Sequence, residues 1–325
     1  MDFFTHIVFS YLLNIGLDSP NFIFGIGVGI LPDMDLLWSP LGKKYYWAKH
    51  RALTHSVGFI ILLALVCSLI ASTFWPLNFW ELLPFALLTG MAHIAVDLIT
   101  TSGIPILLPF SSREFKFEVD KAVNPYIMAF SFSTIIFLNY LGRISYPYST
   151  YLVYATIITL GFVVYYIIKV IIKFWLVRKY STPELRFDVL PTSGLFVWYL
   201  VNKVVKKDRY SIKYARFNLL RSSSIDFKTF SYEIDEDLKP PVNEREKVKS
   251  YTYNLKEVQN YFKKFKYPIA EVIPTSSSDR KWVVFWYPLE LIMLNRTSAL
   301  RVDLSENGTY SARRTFFLKC NENNI

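Results

Sequence analysis

The stretch SVGFIILLALVCSLIASTFW at residues 56–75 contains no charged residue, and TYLVYATIITLGFVVYYIIKVIIKFWL at residues 150–176 is longer and almost as apolar. A helix of roughly 20 apolar residues crosses the hydrocarbon core of a bilayer, which is about 30 Å thick. Both stretches reach that length. The sequence therefore predicts at least two membrane-spanning helices, and these anchor the interpretation of the segments around them.

Four further segments of the first half are apolar. Residues 79–101 and 126–141 are interpreted as spans, although the former carries ionisable side chains. Residues 3–17 and 22–38 are shorter, so they either cross the bilayer or enter it and return. The second contains the glycine-spaced stretch FGIGVGIL, which permits close helix packing, followed by Pro32. We thus expect about six helical segments.

The composition of the chain changes near Tyr180. Hydrophobic residues make up 52% of the 325 residues, above the average for soluble proteins. The excess lies before Tyr180, whereas the later sequence is charged and alternates as in an ordinary globular domain. We predict an α-helical polytopic membrane domain at residues 1–179, followed by a small cytosolic α+β domain at residues 180–325.

Several elements of the second half can be predicted individually. Residues 281–294 are typical of a buried strand, and residues 300–318 of a hairpin that turns at Asn307–Gly308. Residues 255–266 have the pattern of an amphipathic helix. Residues 235–249 are polar and include two prolines, which indicates a loop or linker.

Basic residues lie in alternate loops of the first half. One side carries Lys43, Lys44, Lys49 and Arg51, then Arg113, Lys116 and Lys121, then Lys169, Lys173, Arg178 and Lys179 at the end of the last span, whereas the other side has only Arg143. Positive loops face the cytoplasm, so both termini are expected there. The net charge of +10 then reflects topology and contact with anionic lipid headgroups. No nucleic-acid partner is expected.

The four histidines all lie in the membrane half. On the predicted topology they approach one membrane face together with three aspartates, because His93 and Asp97 are four residues apart and share a helix face near its cytoplasmic end. Imidazole and carboxylate suit zinc, manganese or iron, as one ion or two. The candidate metal ligands are His6, Asp33, Asp35, His50, His55, His93 and Asp97.

Simpler interpretations exist for single members of this set. A histidine at a helix end is often interfacial, and Asp33 and Asp35 after a proline could form an ordinary turn. Arg51 is either a clamp for a phosphate or carboxylate of a substrate or a charge that sets topology. Arg51 and Asp35 are the candidate catalytic residues. Two cysteines can form neither a disulfide framework nor a thiolate cluster.

The motifs around these residues occur in a specific order. They are TH at 5–6, LPDMD at 31–35, HRALTHS at 50–56, HIAVDLITTSG at 93–103 and LPF at 108–110. Together they resemble the LexA-regulated, membrane-bound metal-dependent hydrolase family (YdjM-like). The resemblance covers residues 1–110 and implies an integral membrane hydrolase whose metal site uses the ligands named above.

The chain departs from the family pattern at two positions. Ala52 stands where glycine usually follows the His-Arg pair, and Leu36 stands where a polar residue often follows the second aspartate. The change at Leu36 could mean one ligand fewer, which is compatible with a site that holds one ion. The TH and PD elements are also similar to zinc-dependent phospholipase C proteins, which implies a lipid or phosphate-ester substrate.

Three functions compete for this sequence. The first is a metal-dependent hydrolase at the cytoplasmic surface, acting on a lipid-borne or phosphate-ester substrate through metal-activated water. The second is a metal-ion or proton transporter that uses the same cluster. The third is an anchor that presents the C-terminal domain. Transport requires polar groups across the whole bilayer, and the opposite half offers little beyond Asp18 and Glu81.

Overall fold

The structure is a computed structural model and comprises two compact units, Met1–Lys173 and Phe174–Ile325. It describes residues 1–16, 22–34, 53–143, 147–182, 185–205, 209–221, 227–233, 245–262, 265–275, 282–289, 296–305 and 308–318.

The described part of the first half is helical. Its helices are α1 (Phe3–Gly16), α2 (Phe22–Ile30), α3 (Val57–Phe74), α4 (Phe79–Leu98), α5 (Pro125–Arg143) and α6 (Tyr148–Tyr180). Four of them, α3 to α6, are long and apolar enough to cross a membrane. The prediction of a polytopic α-helical membrane domain is therefore confirmed.

Helices α1 and α2 are shorter than the other four. They have 14 and 9 residues, so at about 1.5 Å per residue neither reaches across about 30 Å of hydrocarbon. Helix α1 packs against α2, α4 and α5, and α2 also packs against α3 and α4. Side chains on these two short helices are thereby held against the long spans.

Close contact between α1, α2 and α4 depends on glycine. A Cβ atom added at Gly25 would collide with the side chain of Asn14, and one added at Gly29 would collide with Ser10 of α1 and Thr89 of α4. The glycine-spaced stretch therefore packs closely, as its sequence predicts.

Substitution of Gly29 by leucine should lower the melting temperature of the protein in detergent. The added side chain would force α1 and α4 apart, and overpacking of this kind costs about 1–3 kcal/mol. Gly27 is the matched control, because nothing lies within 4 Å of a Cβ added there. Thermal unfolding followed by circular dichroism measures both variants, and equal melting temperatures for Gly29→Leu and Gly27→Leu would contradict the packing.

The described part of the second half contains two four-stranded antiparallel sheets. The strands of the first are β1 (Asp188–Pro191), β2 (Val197–Val205), β3 (Arg209–Asn218) and β4 (Lys228–Glu233), and those of the second are β5 (Pro268–Pro274), β6 (Trp282–Pro288), β7 (Arg296–Leu304) and β8 (Tyr310–Leu318). In each sheet the strands are adjacent in chain order. Helices α7 (Arg245–Tyr253) and α8 (Lys256–Phe262) lie between the two sheets in sequence.

One core joins both sheets and both helices of this half. Trp286 of β6, Tyr232 of β4 and Val258 of α8 are all buried in it. The indole N–H of Trp286 donates to the hydroxyl of Thr252 on α7 at 3.0 Å. The α+β prediction for the C-terminal domain is confirmed.

The individual predictions for this half have mixed outcomes. Strand β6 forms within its predicted range. The β7–β8 hairpin also forms, but β7 begins at Arg296, four residues before the predicted start. Gly308 has a φ of 84°, whereas Asn307 lies outside the described residues. Helix α8 accounts for most of residues 255–266. The loop predicted at 235–249 is wrong at its end, because α7 begins at Arg245 and buries Val248 completely.

Candidate metal centre

Helix α4 carries two of the candidate ligands on one face. His93 and Asp97 are one turn apart, and both are buried within the helix bundle. Because α4 begins at Phe79, they lie roughly 21 Å and 27 Å along it. They are thus near the C-terminal end of the helix, as the sequence predicts.

His93 is oriented by the backbone of α2. Its Nδ1 lies 2.8 Å from the carbonyl oxygen of Gly29. A carbonyl only accepts, so Nδ1 carries the proton and Nε2 keeps its lone pair. This is the tautomer that binds a metal through Nε2, with the second nitrogen held by an outer partner. The close approach of α2 to α4 at Gly29 therefore orients His93 as well as allowing the two helices to pack.

His55 lies in the turn that precedes α3. Its Nε2 is 3.3 Å from Oδ1 of Asp33 and 3.2 Å from Oδ2 of Asp97. Its Nδ1 is 3.0 Å from the hydroxyl of Thr54, which fixes the ring from the other side. Ser56 caps α3 by accepting from the backbone N–H of Phe59.

His6 joins the same cluster from α1. Its Nε2 is 3.4 Å from Oδ1 of Asp97 and 3.7 Å from Oδ2 of Asp33. Its ring stacks on His93 with 3.7 Å between centroids. The amino group of Met1 also contacts Oδ1 of Asp97. Four separate segments thus bring five ligand side chains together.

The spacing of these side chains fits a metal ion. Ligand atoms at 2.0–2.1 Å around a tetrahedral ion are about 3.3 Å from each other. The Nε2 atoms of His55 and His93 are 3.2 Å apart, and His93 Nε2 is 3.8 Å from Asp33 Oδ1. With the four histidine–aspartate distances given above, the distances between candidate ligand atoms span 3.2–3.8 Å.

Two overlapping sets of three ligands can be drawn from the cluster. They are His6, His93 and Asp97, and Asp33, His55 and His93, with the ligand atoms of each set within 4.8 Å of one another. His93 belongs to both. Carboxylates buried this deeply need a compensating positive charge. The buried histidine and aspartate groups could therefore bind a metal, as one shared ion or two.

Three predicted site residues lie outside the described residues. They are Asp35, His50 and Arg51. Their roles as ligands or catalytic groups stay predictions. Thr100, by contrast, is described: its hydroxyl donates to the carbonyl of Asp97 at 2.9 Å, so it caps the end of α4.

A second buried polar cluster was not predicted from the sequence. Lys169 was assigned to the positive charges that end the last span, but it lies inside α6, fully buried, with Nζ 2.7 Å from Oδ1 of Asp120. Asn124 and the hydroxyl of Tyr165 donate to the same carboxylate. Burial and the Lys169 charge lower the pKa of Lys121 to about 8. The sequence did contain a signal for this cluster, because a lysine inside an apolar span usually pairs with another polar group.

The fold and the cluster together define a class. The protein is a polytopic helical membrane protein with a buried histidine and aspartate centre capable of binding metal.

The chain belongs to the YdjM inner membrane protein family, whose family model matches residues 1–176. The resemblance drawn from the motifs is confirmed for the family, and the match extends to residue 176, near the end of α6. The protein is therefore an integral membrane protein.

Two curated relatives are similar to part of the chain. The uncharacterized protein YfhP of Bacillus subtilis is 24% identical over 195 residues, which are 55% of this chain and 57% of YfhP. The inner membrane protein YbcI of Escherichia coli is 29% identical over 119 residues, which are 34% of this chain and 69% of YbcI. No solved structure matches the chain.

Proposed function

We propose that this protein is a membrane-bound metal-dependent hydrolase that cleaves a lipid-borne or phosphate-ester substrate. The observation that supports this best is the convergence of three imidazoles and two carboxylates at 3.2–3.8 Å inside a helical membrane domain. Zinc is the proposed ion, because imidazole and carboxylate are among its preferred ligands. Manganese and iron accept the same groups.

The chemistry of the centre divides between the ion and the protein. A bound divalent ion makes water nucleophilic near neutral pH and stabilises charge on a leaving oxygen. The protein holds the donors: the carbonyl of Gly29 orients His93, and the hydroxyl of Thr54 orients His55. Asp33 and Asp97 contribute two carboxylates. One can serve as a ligand while the other accepts the proton of an attacking water.

We further propose that the centre faces the cytoplasm, with both termini on that side. The alternation of basic loops supports this orientation. Asp35 and Arg51, from the motifs next to the centre, are the proposed catalytic partners, with the guanidinium of Arg51 binding a phosphate oxygen. The membrane itself then presents the substrate to the site.

Hydrolysis can be tested in nanodiscs made of phospholipids with radiolabelled headgroups. After zinc addition, we expect release of labelled headgroup by the wild-type protein and a loss of at least about 100-fold in Asp33→Asn, because several kcal/mol of transition-state stabilisation depend on the centre. Ser68→Ala, at a buried hydroxyl of α3 outside the cluster, is the control. Equal release by wild type and Asp33→Asn would reject the proposal.

The same protein in sealed liposomes tests the alternative. Zinc or proton uptake without headgroup release would favour a transporter that uses this cluster. A hydrolase should release headgroup without ion uptake.

A further inference from the structure

A cavity of about 400 Å³ lies between α1, α4 and α6. Phe9, Leu12 and Leu13 of α1 line one wall, Ala92 of α4 lines another, and α6 contributes side chains from Leu152 to Leu160. The volume falls within the range of about 300–1,000 Å³ that is usual for ligand sites. The size alone therefore permits a ligand.

The cavity begins beside the candidate metal centre. Phe9 and Leu13 follow His6 by three and seven residues, so they share its face of α1, at about 4.5 Å and 10.5 Å along the axis. Ala92 directly precedes His93 on α4. A ligand in the cavity would thus have one end within a helical turn of two candidate ligands.

The walls select an apolar ligand. Among the residues that the structure describes, no charged side chain lines the cavity, and the polar ones are Thr156 and Thr159. The hydroxyl of Thr159 donates to the carbonyl of Ala155 at 2.8 Å within its own helix. That hydroxyl is therefore already hydrogen-bonded, and a hydrocarbon chain matches the lining better than a polar solute.

The length of the cavity matches one leaflet. From Leu152 to Leu160 the lining extends about 12 Å along α6, and one leaflet contributes about 15 Å of hydrocarbon. Side chains of α1 and α6 meet at positions flanking this stretch: Phe9 contacts Phe162 with 5.0 Å between ring centroids, and the Tyr11 hydroxyl bonds that of Tyr151. The space is therefore framed by aromatic contacts.

We propose that this cavity binds one acyl chain of a membrane glycerophospholipid, and so brings the ester linkages near its headgroup to the candidate metal centre. The binding of the chain rests on the cavity alone. The role of that chain in presenting a substrate rests on the proposed function. Helices α4 and α6 are spans, so the surrounding bilayer supplies this ligand directly.

Photocrosslinking can detect the chain. Nanodiscs would contain phosphatidylglycerol with a diazirine in the middle of one acyl chain, and labelled peptides would be identified by mass spectrometry after irradiation. We expect labelling of residues 9–13 by this lipid. Thr156→Trp places an indole in the cavity and should reduce that labelling at least about five-fold, because a filled volume excludes the chain. Leu160→Trp, at another position of the lining, should do the same.

Ile157→Trp is the matched control, because Ile157 is as exposed as Leu160, at 59% against 57%, but does not line the cavity. It should leave the labelling of residues 9–13 unchanged. Equal labelling in wild type, Thr156→Trp and Leu160→Trp would overturn the inference.

His55→Ala separates this inference from the proposed function. It removes a candidate ligand but no part of the cavity, so labelling of residues 9–13 should persist. Labelling that responds to Thr156→Trp, in a protein without hydrolytic activity, would keep the lipid site and reject the hydrolase. Hydrolysis with no response of labelling to Thr156→Trp would do the reverse.

Discussion

Substitution of His93 by alanine should remove nearly all metal from the purified protein. His93 belongs to both sets of three ligands, its Nε2 is 3.2 Å from Nε2 of His55, and its ring stacks on His6. Loss of an outer partner of a metal ligand already weakens binding 10–100-fold, so loss of this shared ligand should cost more than about 100-fold. Elemental analysis and zinc titration of the apo protein measure this directly.

The same variant should also lose the stabilisation that zinc confers. An ion that binds only the folded state adds about 2.7 kcal/mol at 100 times its dissociation constant. Zinc should therefore raise the melting temperature of the wild-type protein and of Ser68→Ala, but not that of His93→Ala. Circular dichroism of the variant without zinc separates a lost site from a lost fold. A folded His93→Ala protein with wild-type metal content would reject the metal centre.

Local patterns explain why part of this centre could be predicted. Helix geometry alone places His93 and Asp97 on one face, and the length of α4 sets their depth. The partners of these residues depend on tertiary packing. No pattern in the sequence states that the carbonyl of Gly29 meets Nδ1 of His93, since this contact follows from how closely α2 approaches α4.

The burial of Lys169 could not be predicted for a similar reason. The position of the residue near other basic side chains suggested a charge at the membrane surface, as topology rules assume. Its carboxylate partner, Asp120, is 49 residues away in the chain and reaches Lys169 through the segment between α4 and α5. The start of α7 was not predicted, because four of the five residues from Arg245 to Lys249 are charged. The fifth, Val248, is completely buried.

The pair of Lys169 and Asp120 leads to a second large expected effect. Methionine at position 169 should lower the free energy of unfolding by about 3–5 kcal/mol, because it would remove the ammonium group that contacts the fully buried carboxylate of Asp120. The double variant Lys169→Met, Asp120→Asn should recover part of the loss, since it removes both charges. Arg178→Met, on the exposed end of α6, should change stability by less than about 0.5 kcal/mol. Denaturant titration in mixed micelles measures all three variants.

Loss of this ion pair should also weaken zinc binding at the candidate metal centre. The carbonyl of Asp120 accepts from the backbone N–H of Thr101 at 2.9 Å, and Thr100 caps the carbonyl of Asp97. The segment that ends α4 is thus bonded to the backbone of the residue whose carboxylate Lys169 neutralises. We expect zinc affinity to fall about ten-fold in Lys169→Met, as for the loss of an outer partner. If stability falls while zinc affinity stays at the wild-type value, the two buried clusters act independently.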